Sequence, residues 1–193
     1  MSAPSNQGLT NAVVAIRALF SAAATSCAVT DEDGEQLRFV AADGAGADKI
    51  VGVEMPAGRG IAGFVAMSGQ AMAVADVQRD PRFARDIAES TEYVPSTIVA
   101  VPLLSADGAV VGVLSVLDPA VDASSGWSLS VLGTLGTMVG RLLEGPEPVA
   151  PAPVEPQDLE ALLARIGEHG PAGERLAGQV LGALATFLDE SDR

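Results

Sequence analysis

Residues 97–117 read TIVAVPLLSADGAVVGVLSVL and carry the clearest structural signal in the chain. Two runs within this stretch, 97–104 and 109–117, are rich in valine and other bulky apolar residues, a composition typical of strands. Residues 105–108 lie between the runs and end in Asp-Gly, a dipeptide that favours a tight hairpin turn. The stretch therefore predicts two neighbouring antiparallel strands.

The segments before this hairpin predict much of the remaining domain. Apolar residues recur at helical spacing over residues 9–23, which predicts an amphipathic first helix. Residues 25–30 predict a strand, and Leu37, Phe39 and Ala41 alternate with their neighbours in a second strand, paired with the first as a hairpin. In chain order, the other predictions are a loop at 43–49, extended pieces at 50–54 and 71–75, short helices at 58–68 and 83–90, and a polar turn at 76–81.

A long helix is predicted after the second hairpin, with Ser128 as its N-cap and its end near Leu143. Its apolar face is marked by Leu132, Leu135, Val139 and Leu142, and three glycines lie near that face: Gly133, Gly136 and Gly140. Each interior glycine costs up to about 1 kcal/mol relative to alanine. The glycines therefore indicate close approach of another backbone, either a partner helix or the sheet of the same domain. The whole order of elements predicts an α+β fold with a mostly antiparallel sheet.

Four segments are expected along the chain: a flexible N-terminus at 1–8, a folded domain at 9–144, a linker at 145–156 and a tail at 157–193. The linker contains five prolines, which favour a semi-rigid polyproline conformation. The tail carries two apolar stripes separated by Gly170-Pro171, which predicts two short amphipathic helices. Because such helices cannot bury their apolar faces alone, they must dock on the domain, on each other in a dimer, or on a protein partner.

Charge limits the partners of this chain. Its formal net charge is −14, and an acidic surface repels both nucleic-acid phosphates and anionic membranes. No run of residues approaches the ~20 apolar residues of a membrane-spanning helix. We therefore expect no nucleic-acid partner, no membrane association and a cytoplasmic location. One lysine against ten arginines, with abundant alanine and glycine, suggests a bacterial genome rich in G and C.

Few side chains are available for covalent or metal chemistry. Cys27 is the single cysteine, so the chain cannot form an intrachain disulfide. His169 is the single histidine and lies in the tail, whereas a zinc site needs several nitrogen or sulfur ligands. Gly58, Gly60 and Gly63 have the spacing of a dinucleotide-binding fingerprint, but that motif needs a parallel βαβ unit and an acidic residue about 20 positions later. We interpret these glycines as a tight turn that starts a helix.

Several segments together resemble the GAF family in sequence and in order. They are GRGIAGFV at 58–65, SGQ at 68–70 with the following Val74, Asp76 and Val77, DPRF at 80–83, STIVAVPL at 96–103 and VGVLSV at 111–116. The resemblance covers residues 9–144, and the chain resembles a single-GAF protein of actinobacterial type. It implies a six-stranded antiparallel sheet with helices on one face, a small-ligand pocket on the other, and a homodimer formed through helices at 6–23 and 128–144. The tail at 157–193 lies outside the resemblance and is expected to contact a protein partner.

A candidate pocket can be assigned on this resemblance. Its walls would be aromatic and aliphatic, with a few polar groups, as ligand sites usually are. The predicted ligand-binding residues are Phe64, Asp76, Phe83, Ile87, Thr91, Tyr93, Ile98, Ala100, Ser115 and Val116. The charged residues of the loop at 76–86 are either a solvated surface with weak ion pairs or a lid whose arginines meet an anionic ligand.

The specialised chemistries of GAF relatives find little support in these residues. Free-methionine-sulfoxide reductases use several cysteines, and disulfide turnover needs a nucleophilic and a resolving thiol, whereas this chain has only Cys27. Haem usually needs an axial His, Cys, Met or Tyr, and residues 84–104 lack the cysteine that would attach a bilin. GAF domains that bind cyclic nucleotides carry a dispersed signature of Asn, Lys, Phe, Asp and Glu. This chain resembles that signature only at Phe83 and Asp86. We therefore expect no cofactor and no catalysis.

Three functions remain open on sequence alone. The first is a non-catalytic regulatory domain that binds a small ligand or signal and relays it, through its helices and tail, to a protein partner. The second is a degenerate scaffold that binds no ligand and acts only in dimerisation and protein–protein interaction. The third is a redox enzyme of the free-methionine-sulfoxide-reductase type, against which the single thiol argues.

Overall fold

A six-stranded antiparallel sheet with the strand order β3-β2-β1-β6-β5-β4 organises the computed structural model, which describes residues 6–120 and 126–143. In chain order the elements are α1 (Asn6–Phe20), β1 (Ala24–Thr30), β2 (Gln36–Gly44), α2 (Ala47–Ile50), β3 (Glu54–Pro56), α3 (Gly60–Ser68), β4 (Met72–Ala75), a 3-10 turn (Val77–Arg79), α4 (Arg85–Ser90), β5 (Thr97–Leu104), β6 (Val110–Leu117) and α5 (Gly126–Leu143). The sheet and its helices confirm the predicted fold class. The predicted linker at 145–156 and tail at 157–193 lie outside the described residues.

The valine-rich hairpin lies inside the sheet, as its composition predicts. Strands β5 and β6 pair antiparallel from Ile98 opposite Leu117 onward. Their turn closes where the amide of Ser105 donates to the carbonyl oxygen of Ala109 at 2.9 Å. Strand β1 pairs with the other edge of β6, which joins the two hairpins into one continuous sheet.

Some predicted boundaries were wrong. Helix α1 begins and ends about three residues earlier than the predicted helix at 9–23. The predicted loop at 43–49 contains α2, because Gly46 adopts a positive φ of 72° and its carbonyl oxygen then accepts the first hydrogen bonds of a helical turn. The chain at 50–54 is mostly a turn, and β3 begins only at its end. Helix α5 begins at Gly126, so Ser128 lies buried in its first turn instead of capping it.

The two faces of the sheet carry separate cores. Helices α1 and α5 cover one face, and their buried side chains include Val13, Phe20 and Leu132. The short helix α3 packs on the opposite face, where Ile61 and Val65 are buried. We call these regions the helix-side core and the pocket-side core.

A β-bulge in β2 changes which face its side chains reach. Cys27 pairs with Ala41 and the next residue, Ala28, pairs with Phe39, so Val40 is an extra residue without a partner across the strands. Phe39 consequently packs in the pocket-side core, whereas Ala41 packs in the helix-side core. The regular alternation of this strand in the sequence does not reveal this change of face, because a bulge inserts one residue into the two-residue period.

The glycines of α5 approach the sheet of their own domain. A Cβ atom at Gly140 would lie 2.4 Å from the carbonyl oxygen of Leu104, and one at Gly136 would lie 2.9 Å from Val101 Cγ2. A Cβ atom at Gly133 would meet nothing within 4 Å. Two of the three glycines therefore let the helix lie directly against β5. At Gly136 and Gly140, the backbone that approaches is that of the sheet in the same domain, which is one of the two alternatives given by the sequence analysis.

Candidate functional site

A cavity of about 110 Å³ lies on the pocket side of the sheet. Strands β1, β5 and β6 form its floor, with further side chains from β2 and β3. Its roof consists of α2, the start of α3, α4 and residues 91–95. The short helices of the roof can approach closely because alanines and glycines dominate there, among them Gly46, Ala47, Ala84 and Ala88.

Six of the ten predicted pocket residues line this cavity. They are Phe83, Ile87, Thr91, Tyr93, Ile98 and Ser115. Ile98 and Ser115 belong to the floor, and the others belong to α4 or to the segments on either side of it. The structure therefore brings these six side chains together, while ligand binding by them stays a prediction.

The other four predicted residues lie outside the cavity lining. Val116 follows Ser115 on the same strand and packs in the helix-side core, since successive strand residues point to opposite faces. Ala100 is fully buried in the pocket-side core. Phe64 lies beneath the guanidinium of Arg82, 4.9 Å from the centre of its ring. Asp76 is an exposed turn residue.

The most informative residue missing from the predicted pocket is Ser26 on β1. It pairs directly with Ser115 on β6, and both side chains line the cavity while their residues are only 8% and 5% exposed. Neither hydroxyl has a hydrogen-bond partner among the described residues. No local pattern indicates this pair, because only the order of strands places residue 26 beside residue 115.

Tyr93 is tied to the end of β6 by Asp118. The phenol of Tyr93 donates a hydrogen bond to Asp118 Oδ2. Asp118 Oδ1 accepts from the backbone amides of Ser96 at 2.9 Å and Thr97 at 2.7 Å. Burial raises the pKa of Tyr93 well above its usual value, and the hydrogen bond and negative charge of Asp118 raise it further. Asp118 therefore fixes the segment that connects the cavity roof to β5.

Two ion pairs join the outer parts of the roof. Arg59, at the start of α3, contacts Asp86 of α4 at 2.5 Å, and Lys49 of α2 contacts Glu92. A hydrogen bond and the positive charge of the partner lower the pKa of each of these carboxyl groups. Because both pairs are solvent-exposed, they contribute little to stability.

Cys27 lies on the side of the sheet that faces away from the cavity. It is fully buried in the helix-side core. Burial raises the pKa of its thiol to about 12. Since the thiolate is the reactive form of cysteine, Cys27 in this conformation is an inert core residue.

The described residues also lack two kinds of functional feature. Among residues 6–120 and 126–143, no group of three or more His, Cys, Asp or Glu side chains could hold a metal ion. Within the same ranges, no helix combines the length and apolarity needed to cross a membrane.

The comparisons with known proteins agree with this architecture. The dual 3',5'-cyclic-AMP and -GMP phosphodiesterase 11A of Takifugu rubripes is 32% identical over 66 residues, and the match spans 34% of this chain but only 7% of that protein. The GAF domain of an Acinetobacter phosphoenolpyruvate-protein phosphotransferase has a TM-score of 0.61 at 19% identity, covering 72% of this chain and 81% of that chain. The free methionine-R-sulfoxide reductase of Neisseria meningitidis has a TM-score of 0.59 at 22% identity, covering 72% and 77%.

At these identities the two structural likenesses show the fold alone. The model that describes the GAF domain matches residues 6–145, which is more than half of the sequence. The strand order and helix placement seen here extend over the same region. The chain therefore belongs to the GAF domain family.

Proposed function

We propose that this chain is a non-catalytic regulatory GAF domain, which binds a small ligand in the cavity and relays binding to a protein partner. The observation that carries this proposal is the cavity itself. It lies between the sheet and a roof of short helices, and apolar side chains make up most of its lining. Such concave, mostly apolar sites with a few polar groups are typical of small-molecule binding. The substrate-bound reductase of Neisseria meningitidis shows that a protein of this fold can hold a small molecule.

The residues around the cavity support binding without catalysis. Among the described residues, its lining contains no histidine, lysine, arginine or cysteine; its one carboxylate, Asp43, already binds Arg17, and the phenol of Tyr93 already donates to Asp118. General acid–base or nucleophilic catalysis needs a titratable or nucleophilic group within reach of the ligand, activated by a second group. Cys27, the only thiol, is buried on the other face of the sheet.

A route for the relay follows from the strands of the floor. On β6, Ser115 lines the cavity while the next residue, Val116, packs in the helix-side core. A ligand that favours one position of the floor strands would therefore change the packing under α1 and α5. Such a ligand must bind two states of the domain with different affinity.

The long helices offer a surface that could receive this signal. Val14 on α1 and Met138 and Leu142 on α5 are large apolar side chains with 43% to 53% of their surface exposed. We propose that α1 and α5, which correspond to the helices expected at 6–23 and 128–144, form a homodimer through this surface, since most soluble oligomers are symmetric dimers. The tail at 157–193 would then contact the protein partner.

A ligand screen on the full chain tests the proposed function. Thermal-shift and calorimetric titrations against a metabolite panel should identify a ligand, and sedimentation should show that it alters the dimer equilibrium. Ala88→Leu, in the cavity roof, should abolish binding, whereas Ala109→Leu in the exposed β5–β6 turn should not. If no compound binds to the unmodified chain and Ala88→Leu only raises its stability, the proposed function is wrong.

A dimerisation scaffold without a ligand is the second possible function. The exposed apolar side chains of Val14, Met138 and Leu142 favour it, because they would serve dimerisation whether or not the cavity is occupied. This function predicts a dimer whose association constant is the same in the unmodified chain, in Ala88→Leu and in every ligand mixture.

A further inference from the structure

The part of the cavity lining that the structure describes offers no unpaired charge to balance a charged ligand. Within residues 6–120 and 126–143 it contains no cationic side chain, and the carboxylate of Asp43 is neutralised by Arg17. Moving an unpaired charge from water into such a site is strongly unfavourable. The net charge of −14 also repels anions that approach the domain. The cost of burying an unpaired charge in this lining and the negative net charge of the chain together favour an uncharged ligand.

Two serine hydroxyls mark one place where a ligand can form hydrogen bonds. Ser26 and Ser115 are direct partners on neighbouring strands, and side chains in that relation have Cβ atoms about 4.5–5.5 Å apart. Both residues are more than nine-tenths buried and line the cavity, and neither hydroxyl has a partner among the described residues. A single ligand oxygen between them could accept from one hydroxyl and, if it carries a proton, donate to the other.

The size of the cavity limits the ligand to a small molecule. Its volume is about 110 Å³, whereas an engineered apolar cavity of about 150 Å³ in another protein binds benzene. Because this cavity is smaller than the one that holds the six carbon atoms of benzene, a single ring with one polar atom fits only if the roof helices move slightly outward. The exposed ion pairs that join the roof helices oppose such a movement only weakly.

We propose that the cavity binds an uncharged aromatic or alicyclic molecule with one hydroxyl or carbonyl group, whose oxygen lies between the hydroxyls of Ser26 and Ser115. Phenol and cyclohexanone represent this class. The inference rests on the proposed function, because it assigns the ligand of the same cavity.

Calorimetric titration of the full chain with matched probes tests this assignment. The probes are phenol, benzene, benzoate and protonated benzylamine, which share a ring and differ in their polar group. Phenol should bind about fivefold to tenfold more tightly than benzene, the ratio expected from one net hydrogen bond. Benzoate and benzylamine should bind more weakly than benzene, because the cavity cannot compensate their charge.

Serine variants provide the matched controls. Ser26→Ala and Ser115→Ala, alone or together, should remove the preference for phenol and leave the affinity for benzene unchanged. Unchanged benzene binding also shows that a variant is folded. The assignment is overturned if benzoate binds as tightly as phenol, or if the double variant keeps its preference for phenol.

The outcomes for this assignment and for the proposed function are distinct. Binding of a charged probe that Ala88→Leu abolishes, with a change in the dimer equilibrium, would overturn the neutral-ligand assignment and support the regulatory function. Failure of every probe and of the wider metabolite panel to bind would overturn both.

Discussion

At the scale of single residues, Asp118 should be the most sensitive polar position around the cavity. Its carboxylate accepts hydrogen bonds from the Tyr93 phenol and from the backbone amides of Ser96 and Thr97. Its backbone also has a positive φ of 47°, which aspartate and asparagine tolerate better than alanine does. We expect Asp118→Ala to reduce the free energy of unfolding by about 2–4 kcal/mol, measured by urea denaturation.

Two milder substitutions separate the contributions at this site. Asp118→Asn keeps both an acceptor oxygen and tolerance of the positive φ, so its cost should be well below that of Asp118→Ala. Tyr93→Phe removes only one hydrogen bond and should cost about 1 kcal/mol. Equal losses of stability in Asp118→Ala and Asp118→Asn would show that the hydrogen bonds to the backbone amides contribute little.

Asp80 gives a prediction about stability in acid. Arg82 donates to its two carboxylate oxygens at 2.8 Å and 2.6 Å, and these hydrogen bonds lower the pKa of Asp80 to about 2. An aspartate in an unfolded chain has a pKa near 3.9. Because the folded pKa is the lower one, the contribution of Asp80 is complete above about pH 5 and disappears as the pH falls towards 2.

The Asp80→Asn variant measures this contribution. We expect the variant to be less stable than the unmodified chain by about 1–2 kcal/mol at pH 5. The difference should shrink as the pH approaches 2, because the unmodified carboxyl group becomes protonated there. Urea denaturation of both proteins at several pH values is the measurement, and a difference that does not vary between pH 5 and pH 2 would contradict the prediction.

At the scale of elements, α5 depends on glycines that approach β5. A Cβ atom at Gly140 would collide with the backbone of Leu104, whereas one at Gly133 would meet nothing within 4 Å. Gly140→Ala should therefore destabilise the domain by about 1–3 kcal/mol, because the helix must move away from the sheet. Gly133→Ala should stabilise it by up to about 1 kcal/mol through its higher helix propensity.

Thermal denaturation of the two alanine variants tests this difference. They carry the same substitution in the same helix, so general effects of helix propensity cancel in the comparison. If Gly140→Ala were as stable as Gly133→Ala, the close contact between α5 and β5 would not exist in solution. If both were destabilising, Gly133 would have a contact beyond the described residues, such as a partner helix.

An element could be predicted from the sequence when its pattern lies within one short stretch of the chain, and not when it depends on how distant strands pair. The β5–β6 hairpin could be predicted because two valine-rich runs and the Asp-Gly turn between them lie within 21 consecutive residues. The bulge at Val40 was not, because it depends on how β1 pairs with β2. For the same reason Ser115 was predicted on the resemblance of its own strand, whereas its neighbour Ser26 required the strand order that pairs β1 with β6.

At the scale of the whole molecule, one sheet separates two faces of the domain. The cavity lies on one face, and helices α1 and α5 cover the other. Ser115 and Val116 show how closely the two faces are linked, since consecutive residues of β6 reach the cavity and the helix-side core. The proposed relay therefore has to cross only the thickness of a single sheet.

The proposed dimer gives the last prediction, because it assigns the exposed apolar side chains of α1 and α5 to an interface. Met138→Glu combined with Leu142→Glu would place charges in the apolar centre of that interface, where they cannot be solvated. The dissociation constant of the homodimer should rise at least about tenfold in analytical ultracentrifugation. Met67→Glu is the matched control, since Met67 is 65% exposed but lies on α3 and outside the proposed interface. A dimer that survives the double substitution, or one that Met67→Glu disrupts equally, would show that the chains associate through another surface.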